Sequence, residues 1–180
     1  MNKNILILGH KQHGKGTFCE LLKKYHHIDS ISSSTYANNK FIFPTLAPIY
    51  GYSTAEECFE DRHSHREEWF ELIKSYNTPD ATRMAREMLE LCPAYDGMRN
   101  DIEFFGCLSI RLFDLILWVD AADRKPLESE KSMKIKFDPN IMIKVDNNGP
   151  DHLMEDYVKS LDFSDHSLYQ KLHTYYQNMR

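Results

Sequence analysis

The chain has 180 residues, with 27 Asp+Glu against 22 Lys+Arg and a formal net charge of −5. Its 42% hydrophobic and 27% charged residues are ordinary globular values, which suit a single domain over residues 1–180 and exclude a disordered, collagen-like or coiled-coil chain. No apolar run approaches the roughly 18 residues of a membrane span, and MNKNILILGH lacks a signal-peptide cleavage site, so the expectation is a soluble, cytoplasmic protein without a membrane partner.

The acidic balance disfavours nucleic-acid binding by bulk charge, although a local basic cleft stays open. Cys19, Cys58, Cys92 and Cys107 show no metal-type spacing and read as reduced core thiols. Oligomeric state is left open, a homodimer included. Only 7 glycines are present, and three of them (Gly9, Gly14, Gly16) fall within eight residues.

Along the chain, Asn4–Leu8 is an apolar run that reads as a strand buried on both faces. Phe18, Leu21, Leu22 and Tyr25 then mark an amphipathic helix over Gly14–Tyr25, followed by a short strand at Ile28–Ser32. A variable stretch carries Pro44 and Pro48 and ends at Gly51. Ser53 with Glu56 matches a capping box and predicts a helix of about 25 residues. Thr78 as N-cap with Pro79 at N1 predicts another helix to about Leu91. A strand at Pro93–Asp96, a helix over Asp101–Ile110 and a strong buried strand at Leu112–Asp120 come next. Ala121–Asp138 reads as a charged surface loop. A last strand at Ile141–Val145 and helices over about Pro150–Leu161 and Ser164–Asn178 complete the pattern. Such alternation predicts an α/β fold with a mainly parallel sheet and helices on both faces.

The clustered glycines belong to Gly9-His-Lys-Gln-His13-Gly14-Lys15-Gly16-Thr17, which fits G-x-x-x-x-G-K with the hydroxyl residue one place late. A loop from a strand to a helix N-terminus aims successive N–H groups at an anion, and glycine permits the positive φ and the close approach of phosphate oxygens. Gly9, His13, Gly14, Lys15, Gly16, Thr17 and Phe18 are therefore the expected ATP-binding residues. Lys15 would reach the β- and γ-phosphates, and the Thr17 hydroxyl is a candidate Mg²⁺ ligand.

Asp96-Gly97-Met98-Arg99 ends a predicted strand and resembles the DGFPR element of the adenylate kinase branch of nucleoside monophosphate kinases, which implies Asp96 as a metal carboxylate and Arg99 as a phosphate contact; a simple turn is the bland alternative. Asp120, closing the stronger apolar run, competes with Asp96 and ranks slightly behind it. Phosphoryl transfer needs positive charge around donor and acceptor. Arg62 and Arg66, within a cluster that includes Asp61 and His63, are spaced i, i+4 and would line an acceptor pocket or form a solvated, self-paired helix face. Arg83 and Arg86 offer a second clamp, and Arg124 opens the charged loop at the place of a lid.

GKGT resembles the loop of the adenylate kinase branch of nucleoside monophosphate kinases, and DGMR resembles their DGFPR element, one residue shorter. Over about Met1–Leu161, the segments ILILGHKQHGKGT, SSSTYANNKFIFPTL, YGYSTAEECFEDRHSHREEWFELI, GMR, LFDLILWVDAADR and VDNNG together resemble small bacteriophage P-loop kinases, described as deoxynucleoside monophosphate kinases. Relatives of that group phosphorylate 5-hydroxymethyluracil within DNA. The resemblance implies a P-loop NTPase three-layer α/β/α fold, a helical acceptor-binding insertion over about 35–92 and a lid over about 121–138. It also implies ATP and Mg²⁺, with Ser33, Ser34, Arg62, Arg66 and Arg99 facing the acceptor, and Arg124 and Ser132 on the lid side. Two departures stand out: Gly16 where many phage members carry Asp, and Asp96 where many have none. The expected activity is transfer of the γ-phosphoryl of ATP to a deoxynucleoside monophosphate, a small-molecule nucleotide substrate. The alternative is phosphorylation of 5-hydroxymethyluracil in DNA, for which Asp61, Asp96 or His63 is a candidate base.

Overall fold

All four residues of the first strand, β1 (Ile5–Leu8), are buried, and they alternate between two separate cores. Leu6 and Leu8 enter one core with Ile116 and Trp118. Ile5 and Ile7 enter the other with Leu115, Leu117 and Val119. A strand is apolar on both faces when helices cover both, and parallel connections place them there.

The computed structural model describes residues 3–179. Strands β1, β2 (Ser30–Ser32), β3 (Ala94–Asp96), β4 (Leu115–Asp120) and β5 (Ile143–Asp146) form one sheet in the order β2-β3-β1-β4-β5. Every neighbouring pair is parallel, with Ile7 beside both Asp96 and Leu117. Helix α1 (Lys15–His26) follows β1. Helices α2 (Ser33–Ala37), α3 (Phe43–Tyr50), α4 (Ala55–Glu60), α5 (Arg66–Tyr76) and α6 (Arg83–Leu91) lie between β2 and β3. Helix α7 (Asp101–Ser109) precedes β4, and α8 (Asp151–Ser160) and α9 (Gln170–Asn178) follow β5. Phe18 and Leu22 of α1 with Met154 and Val158 of α8 cover one face; α2 to α7 and α9 supply the other. The protein is thus α/β with an all-parallel sheet flanked by helices, an arrangement compatible with a P-loop NTPase-like fold. Among the described residues no helix is long and apolar enough to cross a membrane.

The predicted strands are present with small shifts at their ends, the last expected helix is a 3₁₀ turn (His166–Tyr169) running into α9, and the region between β2 and β3 departs further from expectation. Residues 33–50 are helical despite two prolines. A π-helical turn, Asn38–Ile42, joins α2 to α3, and Pro44 sits just after it at the start of α3. The burial of Tyr36, Ala37, Ile42 and Leu46 holds this segment to the sheet.

The capping box is Thr54 with Glu57, one residue later than expected, and Glu57 accepts the Ser53 and Thr54 N–H groups. The 25-residue helix is broken: Asp61–His63 forms a 3₁₀ turn in which Asp61 accepts from the Tyr52 hydroxyl and engages His65. Helix α6 starts at Arg83 and not at Pro79, because Asp80 accepts both the Thr82 N–H and the Thr82 hydroxyl and fixes a turn there.

In open parallel sheets, ligands sit beyond the carboxyl ends of the strands, where connections from neighbouring strands part. Here β1 leads towards β2 on one side and β4 towards β5 on the other, so the crevice opens between the ends of β1 and β4.

Candidate functional site

The glycine-rich loop fills that crevice. Gly9 has φ +140°, and a Cβ there would lie 2.3 Å from the Val119 carbonyl oxygen of β4. Gly14 has φ +96°, and its Cβ would meet Asn147 Nδ2 at 2.3 Å. These glycines let the loop pack against β4 and the segment after β5. Gly16 differs: it is exposed in the first turn of α1, and a Cβ there would find nothing within 4 Å, so its bare backbone leaves that turn open.

Lys15 begins α1 and folds back over the loop, with Nζ donating to the carbonyls of Gly9 (2.9 Å) and His10 (3.0 Å). Burial pushes the Lys15 ammonium below its ordinary range; Asp96 opposes this and Arg99 reinforces it. Thr17 is exposed on the same first turns of α1.

His13 and Phe18, expected among the ATP-binding residues, brace the loop from behind. His13 is wholly buried; its Nδ1 accepts the Ala121 N–H at 2.9 Å, and its carbonyl accepts from Asn147 Nδ2 at 2.8 Å. The Phe18 ring is buried in the core under α1, and the Phe18 N–H donates to the Gly14 carbonyl. Both residues shape the loop without presenting a side chain to the crevice.

The two competing aspartates separate clearly. Asp120 is paired to Lys144 at 2.6 Å and accepts the Ala122 N–H, and these contacts hold its carboxyl below the usual range against the cost of burial. Asp96 ends β3, the strand beside β1, and its buried Oδ1 has no hydrogen-bond partner among the described residues. Burial raises the Asp96 carboxyl, while Lys15 and Arg99 pull it down. An unpartnered buried oxygen next to the loop lysine fits a cation bound at this spot. Among the described residues no group of three or more His, Cys, Asp or Glu side chains is arranged around a metal. Mg²⁺ suits such a sparse donor set, since it is held by one or two carboxylates plus phosphate oxygens and water.

Gly97 has φ +96°, and its carbonyl accepts from Ser33 Oγ at 3.1 Å, which joins the end of β2 to the end of β3. Ser34 is engaged locally with the Ser32 hydroxyl. Met98 is buried in the core, and Arg99 turns towards Lys15 and pairs with Glu128.

The candidate arginines divide into two groups. Arg83 bonds Glu87 and lies over the Tyr76 ring, and Arg86 bonds Asp80 and Thr82, so the second clamp is consumed by structural contacts. Arg124 bonds Asn147 and pairs with Asp151. By contrast, Arg62 and Arg66 have no carboxylate partner among the described residues. Arg62 lies over the Phe59 ring and donates to the Phe59 carbonyl. The helix break moves these two arginines off a shared helical face, but their charges, with that of the loop residue Lys11, converge on His63 and lower its pKa. Asp61 sits apart from this cationic group, occupied by Tyr52 and His65.

The 121–138 loop is anchored more firmly than a free lid. Met133 and Ile135 are buried in the core, and the Lys134 N–H donates to the Arg99 carbonyl at 3.1 Å. Sequence reasoning missed Glu128, Lys11 and Asn147. Asn147 lies in the VDNNG segment, but no spacing rule points to Glu128. No family model matches the chain, and no curated protein matches it in sequence.

Proposed function

We propose that the protein is an ATP-dependent phosphotransferase that moves the γ-phosphoryl group of ATP to a deoxynucleoside monophosphate, as a nucleoside monophosphate kinase-like member of the P-loop class. The observation that carries this reading is the strand–loop–helix unit with a half-buried Lys15 beside Asp96 and Arg99.

In this mechanism the backbone around Gly14–Thr17 cradles the donor phosphates. A monophosphate oxygen of the acceptor attacks the γ-phosphorus, the bond to the bridging oxygen of ADP breaks, and no proton has to move. Lys15 and Arg99 stabilise charge on the transferring group, and Arg62 and Arg66 hold the acceptor phosphate through charge-assisted hydrogen bonds. Thr17 and Asp96 would hold Mg²⁺, which would supply charge neutralisation for the donor phosphates. The pairing of Asp61 with Tyr52 and His65 removes one of the bases that a hydroxyl acceptor would need.

One observation supports the second reading, phosphorylation of 5-hydroxymethyluracil in DNA. His63 is exposed and kept towards its neutral form by Arg62 first, then by partial desolvation, Lys11 and Arg66, which suits a base. Incubation with γ-labelled ATP and Mg²⁺, with each deoxynucleoside monophosphate and separately with DNA containing 5-hydroxymethyluracil, separates the two. Label on a free nucleotide is the expected outcome; label on DNA alone replaces the first reading with the second.

A further inference from the structure

Residues 122–131 form an exposed strap in which Arg124 reaches Asn147 at one end and the Glu128 side chain turns inward at the middle. Leu127, Ser129, Glu130 and Lys131 face solvent, whereas the Glu128 side chain is 13% exposed. Glu128 Oε2 accepts the Lys11 N–H of the glycine-rich loop at 2.6 Å, and Oε1 pairs with Arg99 Nη1. The Glu128 N–H donates to His10 Nδ1 at 3.1 Å, so backbone and side chain together fasten the strap to the loop. Burial works against ionisation of Glu128, but Arg99, the Lys11 N–H and Lys15 outweigh it and keep the carboxyl below its ordinary range.

The strap is fixed at both ends. Ala121 is buried and bonded to His13, and Met133 and Ile135 are in the core. A carboxylate oxygen held by a loop N–H and an arginine, within the field of the loop lysine, uses the chemistry that holds a phosphate oxygen.

We propose that Glu128 is an internal anion seated on the phosphate-binding groups of the loop, which the polyphosphate of a nucleoside triphosphate displaces, so that the 122–131 strap is a nucleotide-gated latch. This rests on the nucleotide-binding reading above. Glu128 and a phosphate compete for Arg99 and the Lys11 N–H. The latch therefore subtracts from nucleotide affinity and couples binding to release of the strap between its two fixed ends.

The test uses the full chain and titrates ATP-Mg²⁺ by calorimetry into the wild type, Glu128→Gln and, as a control on the same strap, Glu130→Gln. Glu128→Gln removes the competing charge and should bind ATP about tenfold more tightly, while Glu130→Gln matches the wild type. Trypsin gives a second readout, because Arg124 and Lys131 lie in the strap and neither precedes a proline. ATP should speed cleavage there in the wild type, and Glu128→Gln should be cleaved quickly without ATP. Wild-type binding with unchanged or weaker binding by Glu128→Gln, or cleavage insensitive to ATP, overturns the latch and leaves the nucleotide reading standing. ATP binding by neither protein overturns both. Binding by Glu128→Gln alone establishes the latch in its strongest form.

Discussion

The two sides of the crevice, proposed above to take the phosphoryl donor and the acceptor, are built by different means. On the donor side, the loop after β1 is positioned by backbone: Gly9 packs on the Val119 carbonyl, Gly14 packs on Asn147, and His13 locks onto the Ala121 N–H. On the acceptor side, between β2 and β3, position is set by side-chain pairs: Tyr36, Tyr76 and Arg83 converge on Glu87, Arg86 on Asp80, and Tyr52 and His65 on Asp61. Backbone constraints leave a spacing signature in the sequence. Side-chain pairing leaves only composition, because any nearby carboxylate can claim an arginine.

Four experiments probe this contrast. The largest expected effect is on the donor side, where Lys15→Ala should lower phosphoryl transfer by about 100- to 1,000-fold, measured with labelled ATP, as a lost charge stabiliser does. Transfer at the wild-type rate would remove the loop lysine from the mechanism. Gly9→Ala should cost about 3 kcal/mol of stability in a urea titration, from a clash with backbone plus strain at φ +140°. Gly16→Ala, with open space around it, should leave the urea midpoint almost unchanged, and equal losses at both glycines would mean that backbone packing does not distinguish them.

Arg62→Ala combined with Arg66→Ala should raise the KM for the acceptor by about tenfold or more, consistent with the loss of charge-assisted hydrogen bonds. Arg83→Ala with Arg86→Ala should instead affect stability and leave KM near the wild-type value. A KM that rises in the second pair and not in the first would reverse the assignment of the two clamps.

The smallest effect concerns Glu87. Burial favours its neutral form, but the Tyr36 and Tyr76 hydroxyls and Arg83 outweigh burial and hold its pKa at about 2. A folded pKa below the ordinary glutamate value means that this stabilisation is fully present above about pH 4.5 and is lost as pH falls towards 2. Glu87→Gln should lower stability by about 1 kcal/mol at neutral pH and flatten the acid limb of a pH–stability curve. An acid limb identical to that of the wild type would show that this hub does not stabilise the acceptor side.

Much of the fold was legible. The unbroken apolar runs at Ile5–Leu8 and Leu115–Asp120 announced strands covered on both faces, and they are the ones whose residues alternate between the two cores. The loop could be read because Gly9, Gly14 and Lys15 occupy fixed offsets between a strand and a helix. The middle region was less legible for specific reasons. The stretch with Pro44 and Pro48 has no readable period, and burial of Ile42 and Leu46 makes it helical against local propensity. Asp61 and Asp80 each captured nearby donors and ended or delayed a helix that periodicity alone would have continued.

By itself the sequence determined the α/β alternation and the glycine-rich strand–loop–helix unit, because both depend on local rules: the period of apolar residues along a strand or helix, and the φ angles that glycine permits. Tertiary structure decided which of Asp96 and Asp120 is paired, which arginines remain unpaired, and where Glu128 sits. Each depends on which side chains approach from distant parts of the chain: Lys144 claims Asp120, Glu87 and Asp80 claim Arg83 and Arg86, and Arg99 with Lys11 claims Glu128. A charge is readable from one residue, but its partner is a property of the fold.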